Sequence, residues 1–184
     1  MSKVIKFDDY KMTIKNNKIT MDALLSHYDF EKIVGYCQSC PNYDKIWSCP
    51  PFDFSTYDYL NKFSSAIIYS GEILFDLSAI SDDEKNNKRR LIFEMGRKEF
   101  RNFLLTIEKE YHESQSLIAG HCFLCDKCTR ILGEKCSYPQ EIRYSLEGMG
   151  IEVSSLLKTV LNQKLQWDID TSHRLMTVGA ILIR

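Results

Sequence analysis

GHCFLCDKCTRILGEKCSYP, residues 120–139, carries Cys122, Cys125, Cys128 and Cys136, four of the seven cysteines in the chain. The other three, Cys37, Cys40 and Cys49, fall in a second tight group, CQSCPNYDKIWSCPP (37–51). No cysteine lies outside these two segments. Thiols kept only for packing would scatter, so the clustering points to a protein built around metal. In a C-x2-C step both thiolates turn the same way around a tight turn, and backbone N–H groups face the sulfurs. Cys122-x2-Cys125-x2-Cys128 joins two such steps and brings three thiolates together within one short loop. Structural zinc sites normally use two separate C-x2-C knuckles a dozen or more residues apart. The triple run is instead the spacing that places three thiolates on three irons of a cubane.

The run departs from the bacterial ferredoxin pattern, in which a fourth cysteine and a proline follow after three residues. Here Cys136 comes later, Pro139 follows it, and the Cys-Pro pair occurs at Cys49-Pro50. Sequence leaves open whether Cys136 completes the Cys122 group or crosses to the Cys37 group, and the same holds for Cys49. Two cubanes would need about eight ligands, one more than the cysteines supply. The eighth position falls to His121, to Asp126, or to an open iron that binds water or a small molecule. Zinc is the alternative metal, and thiol chemistry without metal a further one.

Working outward, Thr20 before MDALLSHY and Asp29 before FEKIVGY read as N-caps of short helices, the second delivering the chain to Cys37. Residues 1–63 read as a mainly helical and loop part that carries the first cysteine group. His27 reads as a surface or interface residue and His112 as a charge near a helix end. Pro41, Pro50 and Pro51 make the first cysteine segment an ordered loop. Ser55-x-x-Asp58 opens another short helix. The crowded rings of Trp47, Phe52, Phe54, Tyr57 and Tyr59 read as a packing collar, with a stacking wall for a substrate as the alternative.

SSAIIYSGEILF (64–75) is apolar and β-branched, as a buried strand should be. Ser81 to Glu84 forms a capping box, and apolar positions from 92 to 111 recur at helical spacing, with Gly96 as a close-packing point. That predicts one long amphipathic helix with a solvated charged start. A strand at 116–119 then leads into the main cysteine loop. Strand, helix, strand predicts a right-handed βαβ unit with parallel strands. Residues 140–150 and 154–162 read as helices, and RLMTVGAILIR (174–184) as a closing strand. The expectation is one α/β (or α+β) domain over residues 1–184. It has a small, partly parallel sheet, flanking helices and both cysteine-rich metal-binding loops at one end.

Composition narrows the rest. A net charge of -1 and a pI near 6.4 offer no basic excess for a phosphate backbone, so nucleic acid is not the expected partner. No secretory leader and no membrane-length apolar run stand out. An odd cysteine number argues against a disulfide framework and for thiolates in a reducing cytoplasm.

With these residues assembled, the sequence resembles a prokaryotic family of predicted metal-binding proteins, domain of unknown function twenty-two eighty-four. The likeness rests on Cys37-x2-Cys40-Pro41-Asn42-Tyr43, on Trp47-Ser48-Cys49-Pro50-Pro51, and on Gly120-x-Cys122-x2-Cys125-x2-Cys128 with Cys136 and Pro139. It continues through Arg143-x-Ser145-x-Glu147 and Gly150-Ile151-x-Val153. Ser137 and Tyr144 stand where the family tends to have Arg and Pro. The resemblance implies metal binding and no particular reaction. It draws attention to Arg143, Ser145 and Glu147. An i,i+4 Arg143–Glu147 ion pair is one reading of them, and hydrogen bonding around the metal site, shared with His121, is the other.

The expected function is electron transfer or a small redox reaction by an iron–sulfur protein with one or two 4Fe–4S clusters. All seven cysteines are the expected ligands, with a redox protein or a small molecule as partner. Alternatives are an open-iron enzyme of lyase, dehydratase or desulfurase type, a zinc-stabilised binding module, and a redox or iron sensor. No radical-SAM C-x3-C-x2-C, GxGxxG or P-loop motif is present.

Overall fold

The computed structural model describes residues 2–165 and 173–184. Strands β1 (Ser2–Lys6), β2 (Lys11–Thr20), β3 (Ser65–Leu74), β4 (Ser114–Leu117) and β5 (Arg174–Ile183) form one sheet in the order β1-β2-β3-β5-β4. Every neighbouring pair is antiparallel. The fold is therefore α+β, and the partly parallel sheet is corrected. β3 and β4 do run the same way, but β5 lies between them. The reason is length: β3 pairs with β5 from Ser65↔Ile183 to Leu74↔Arg174, whereas β4 offers only Ser114 to Leu117. The long apolar partner wins the central edge, because it buries more side chains and satisfies more backbone groups.

Period-2 alternation sorts the strands between two layers. Ala66, Ile68, Val178, Ala180 and Leu182 face one core, and Ile67, Ile73, Leu175 and Ile181 face the other. The second core is covered by α4 (Asp82–Glu108), through Ile92, Phe100 and Leu104. α4 presses close to the sheet. A Cβ on Gly96 would run into Ile73, and one on Gly179 would lie 2.5 Å from both Leu104 Cδ1 and the Leu117 carbonyl. The close-packing role expected of Gly96 is thus what the structure shows.

The first core is covered by α1 (Met21–Leu25), α3 (Thr56–Leu60) and α5 (Val153–Leu161), together with a tight turn at 145–151. α2 (Phe30–Gln38) leads from α1 toward the first cysteine group. Thr20, Asp29 and Ser55 cap α1, α2 and α3 as expected, accepting from the N–H groups of Ala23, Lys32 and Asp58. The N-terminal part holds two strands, residues 2–6 and 11–20, that the sequence did not announce, although helix, turn and loop still make up most of residues 1–63. One reading fails: residues 140–150 are turns and loop, not a helix. Ile142, Leu146 and Met149 do have helical spacing and are buried. However, Gly150 takes φ +88 and Gly148 N–H turns back to Ser145 Oγ at 2.9 Å, so the backbone coils instead into a knot of turns.

The aromatic collar packs around Tyr144. Phe52 stacks on Phe54 at 5.0 Å, and Phe52, Phe54 and Tyr59 reach Tyr144 at 5.1, 5.5 and 5.7 Å. Among the described residues, no helix is long and apolar enough to cross a membrane.

Candidate metal centre

The main cysteine loop hangs from a closed neck. As β4 ends, Ile118 N–H donates to the Tyr144 carbonyl at 2.8 Å, so the two ends of the 120–143 excursion are joined. Beside this bond, Glu108 at the end of α4 gathers the donors. Its Oε2 accepts from Arg143 Nε at 2.8 Å, from Ser116 N–H at 2.7 Å and from Ser116 Oγ at 2.5 Å. Its Oε1 accepts from Arg143 Nη2 at 2.5 Å. Arg143 therefore pairs with Glu108, not with Glu147, and it braces the neck without touching a thiol.

Burial alone would push the Glu108 carboxyl up. The bonds from Arg143 and Ser116 outweigh it and hold the group below its usual range. A group depressed on folding stabilises above its unfolded value and loses that contribution as pH falls through its folded value. Glu108→Gln is thus expected to cost about 3 kcal/mol at neutral pH, as for a buried pair that loses one partner. The gap to wild type should close on acidification below about pH 4. Urea unfolding of both proteins checks this, since acid lability common to both cancels. A gap that persists at low pH would contradict it.

The seven thiols, all unbridged, fall into two groups. Cys122 stands within electrostatic reach of Cys136, Cys125 and Cys128, and all four line one hollow of about 450 Å³. Cys49 stands in the same relation to Cys40 and Cys37, and these three line a second hollow of about 230 Å³. Cys136 thus belongs spatially with Cys122, and Cys49 with Cys37. Among the described residues, no three His, Cys, Asp or Glu side chains are drawn tightly enough together to hold a single ion. The larger hollow far exceeds the ~10–15 Å³ that one water needs. Soft thiolate donors around such a space suit zinc or iron–sulfur chemistry.

In the main loop, burial pushes the Cys122 thiol up and the Leu124 N–H opposes it, while the other three thiols add to the rise. Tyr138 N–H points at Cys136 Sγ at 3.4 Å. These are the backbone donors expected to face sulfur in tight thiolate turns. After Cys128 a single 3-10 turn, Thr129–Leu132, ends at Gly133 with φ +69. Thr129 Oγ1 then donates to the Lys135 carbonyl at 2.9 Å, which carries Cys136 back to the other thiols.

The first group is built by turns: Cys40 N–H to the Cys37 carbonyl at 2.9 Å, and Cys49 N–H to the Ile46 carbonyl at 2.9 Å. Burial is the main cause that raises the Cys37 thiol, and it pushes Cys49 up to about 11. Two residues lock this segment to the main loop. Ser48, almost fully buried, accepts from Cys122 N–H at 2.8 Å. Arg130 donates to the carbonyls of Ile46 (3.1 Å), Cys49 (2.7 Å) and Pro51 (2.7 Å) and to Asp44 Oδ1 (2.8 Å). Its guanidinium lies 5.0 Å from the Trp47 ring, and Trp47 Nε1 donates to the Glu134 carbonyl at 3.2 Å. Trp47 is therefore part of this clamp, not of the collar around Tyr144.

His121 lines both hollows. Its Nδ1 lies 3.2 Å from Asn42 Nδ2, and its ring packs on Phe123 at 4.1 Å. Burial, with Arg97 and Arg101 nearby, lowers its basicity. Asp126 is exposed at the rim of the larger hollow. Ser145 and Glu147 line the smaller one, with Arg97 opposite. Burial raises the Glu147 carboxyl, which stands within electrostatic reach of Cys37.

Arg97, Arg130, Glu108 and Ser48 are the residues that sequence reasoning missed. Arg130 gave a weak signal by following Cys128 so closely. Arg97 reads in sequence as one more solvated charge on α4.

A family model described as "Predicted metal-binding protein (DUF2284)" matches residues 27–183. No curated protein and no solved structure matches the chain.

Proposed function

The chain belongs to this family of predicted metal-binding proteins, and from that premise we propose that it is an iron–sulfur protein that carries electrons. Cys122, Cys125, Cys128 and Cys136 would hold a 4Fe–4S cluster, and Cys37, Cys40 and Cys49 would contribute to a second. The observation that carries this reading is the C-x2-C-x2-C run whose three thiols share one hollow with Cys136. Bound there, a cubane supplies one-electron chemistry. Four thiolates would fill every protein-facing position on it, which favours a carrier over an enzyme with an open iron.

The chain's own residues do the rest. The Leu124 and Tyr138 N–H groups offset charge on the sulfurs. Ser48 and Arg130 fix the two loops to each other. Phe123, Leu124, Ile131, Leu132 and Tyr138 leave an exposed apolar rim at the main loop, a surface suited to brief contact with a redox protein. A reducing compartment, the cytoplasm, keeps the seven thiols available.

The test is iron, acid-labile sulfide and zinc per chain on protein purified without oxygen, with visible and EPR spectra. About four or eight irons with equal sulfide are expected. Stoichiometric zinc without sulfide would overturn the proposal and make the cysteines a structural staple.

A further inference from the structure

Four thiols share the larger hollow, so the smaller one keeps three, and a metal centre there lacks a fourth donor. We propose that Glu147 is that donor, making the second centre a three-thiolate, one-carboxylate site; this rests on the metal-binding reading above. Three other side chains compete for the role, and each is engaged elsewhere. Asp126 is exposed and lines the other hollow. His121 is paired through Nδ1 with Asn42 Nδ2 at 3.2 Å and its ring packs on Phe123 at 4.1 Å. Ser145 Oγ accepts from the Gly148 N–H at 2.9 Å and donates to the Glu147 carboxyl, so it supports that carboxyl instead of replacing it.

Glu147 is placed differently. It lines the smaller hollow together with Cys37, Cys40 and Cys49, and it also lines the neighbouring apolar cavity beside Cys37 and Cys40. The turn that carries it is rigid. Met149 N–H donates to the Ser145 carbonyl at 3.0 Å, Gly150 N–H to Glu147 at 2.9 Å and Ile151 N–H to Leu146 at 2.9 Å. Leu146 and Met149, on either side of it, are fully buried and anchor the turn in the core.

α2 is tied to the same turn. Asp29 N–H donates to the Gly150 carbonyl at 2.9 Å and Glu152 N–H to the His27 carbonyl at 2.9 Å, so the helix that delivers Cys37 and the turn that delivers Glu147 share one anchor. A Cβ on Gly150 would meet Phe30 Cα at 3.1 Å, which only glycine allows. The Glu147 carboxyl lies within electrostatic reach of Cys37 on one side and of the Arg97 guanidinium on the other. A metal there would take one bond from each thiol and one from the carboxyl as their protons leave. Arg97 offsets the remaining negative charge. It is held by Glu94 at 3.2 Å and by Phe93 and Phe123 at 5.5 Å, and Gly120 lets it come close.

The test compares full-length wild type, Glu147→Gln and Glu147→Cys, each reconstituted with ferrous iron and sulfide without oxygen. Glu147→Gln keeps the shape and the turn but is a poor ligand. It is expected to hold about half the wild-type iron and to lose one reduced EPR signal while the other persists. Glu147→Cys should regain full iron, with that EPR signal shifted. Wild-type iron and an unchanged spectrum in Glu147→Gln would overturn the assignment. So would equal iron loss in both variants, the mark of a residue that only braces its turn. If wild type instead takes zinc without sulfide, the iron–sulfur reading falls alone. Two zincs dropping to one in Glu147→Gln would still uphold the fourth donor, and two zincs retained would overturn it.

Discussion

Cys125→Ala is expected to strip the main-loop centre almost completely. Cys125 is exposed, so removing its sulfur opens no cavity and costs little packing. On the proposed reading it removes one bond to metal, and in small thiolate sites metal binding is itself part of the folding free energy. Iron and sulfide should fall by about the content of one cubane, and the melting temperature by about 10 °C, an effect of a few kcal/mol in a chain of this size. Cys40 is the matched control, because it too is exposed and lies in the other group. Cys40→Ala should spare the main centre and empty the second. Paired metal analysis and melting curves of the two variants check this. Full iron and a native melt in Cys125→Ala would remove the main loop from the metal site altogether.

Arg130→Ala is expected to be the most damaging substitution that removes no thiol. One guanidinium serves three carbonyls and a carboxylate on the opposite segment, with only 11% of its side chain exposed. The Asp44 contact contributes little, because that carboxylate is 65% exposed. The three carbonyls matter more. Each charge-assisted bond contributes about 1.5–3 kcal/mol, less than additively, and the truncation leaves their oxygens without the donor that serves them. A loss of about 3–5 kcal/mol is expected in denaturant unfolding. Arg130→Lys should recover less than half, since a single ammonium cannot span acceptors that a planar fork reaches together. Metal retention at Cys37, Cys40 and Cys49 should fall with it, since Arg130 anchors the Cys49 carbonyl directly. A change under about 1 kcal/mol would mean that the two segments hold their places through Ser48 and Trp47 alone.

What could be read from sequence was local. Thr20, Asp29 and Ser55 cap helices because each needs only an N–H three residues on. β3 announces itself as an almost unbroken apolar, β-branched run buried on both faces, and α4 through apolar residues at helical spacing. β2 did not, because only Met12 and Ile14 are buried while Asn17 and Lys18 are exposed. The helix expected at 140–150 had correct apolar spacing, but spacing cannot report that Ile118, from the far side of the loop, pairs with the Tyr144 carbonyl. The parallel pairing failed for a similar reason: β5 arrives from more than a hundred residues beyond β3 and takes the place between it and β4.

The site divides along the same line. The thiols were visible at once, whereas their division into four and three depends on how two distant loops approach. Glu108, Arg143 and Arg130 find partners 35 to 86 positions away, and nothing in their immediate neighbourhood says so.

The position of β5 also sets a timetable. It lies inside the sheet, between β3 and β4, yet it is the last of the five strands to leave the ribosome. At ~5–20 residues per second, it follows Cys136 by several seconds. Throughout that interval every cysteine has been synthesised while the strand that joins β4 to the rest of the sheet is still missing. β3 and β4 have no common neighbour until β5 arrives, and pairing across so long a stretch of chain is slow. The nascent chain therefore presents all seven cysteines before it has a finished scaffold, so a metal bound by them could first meet an open polypeptide.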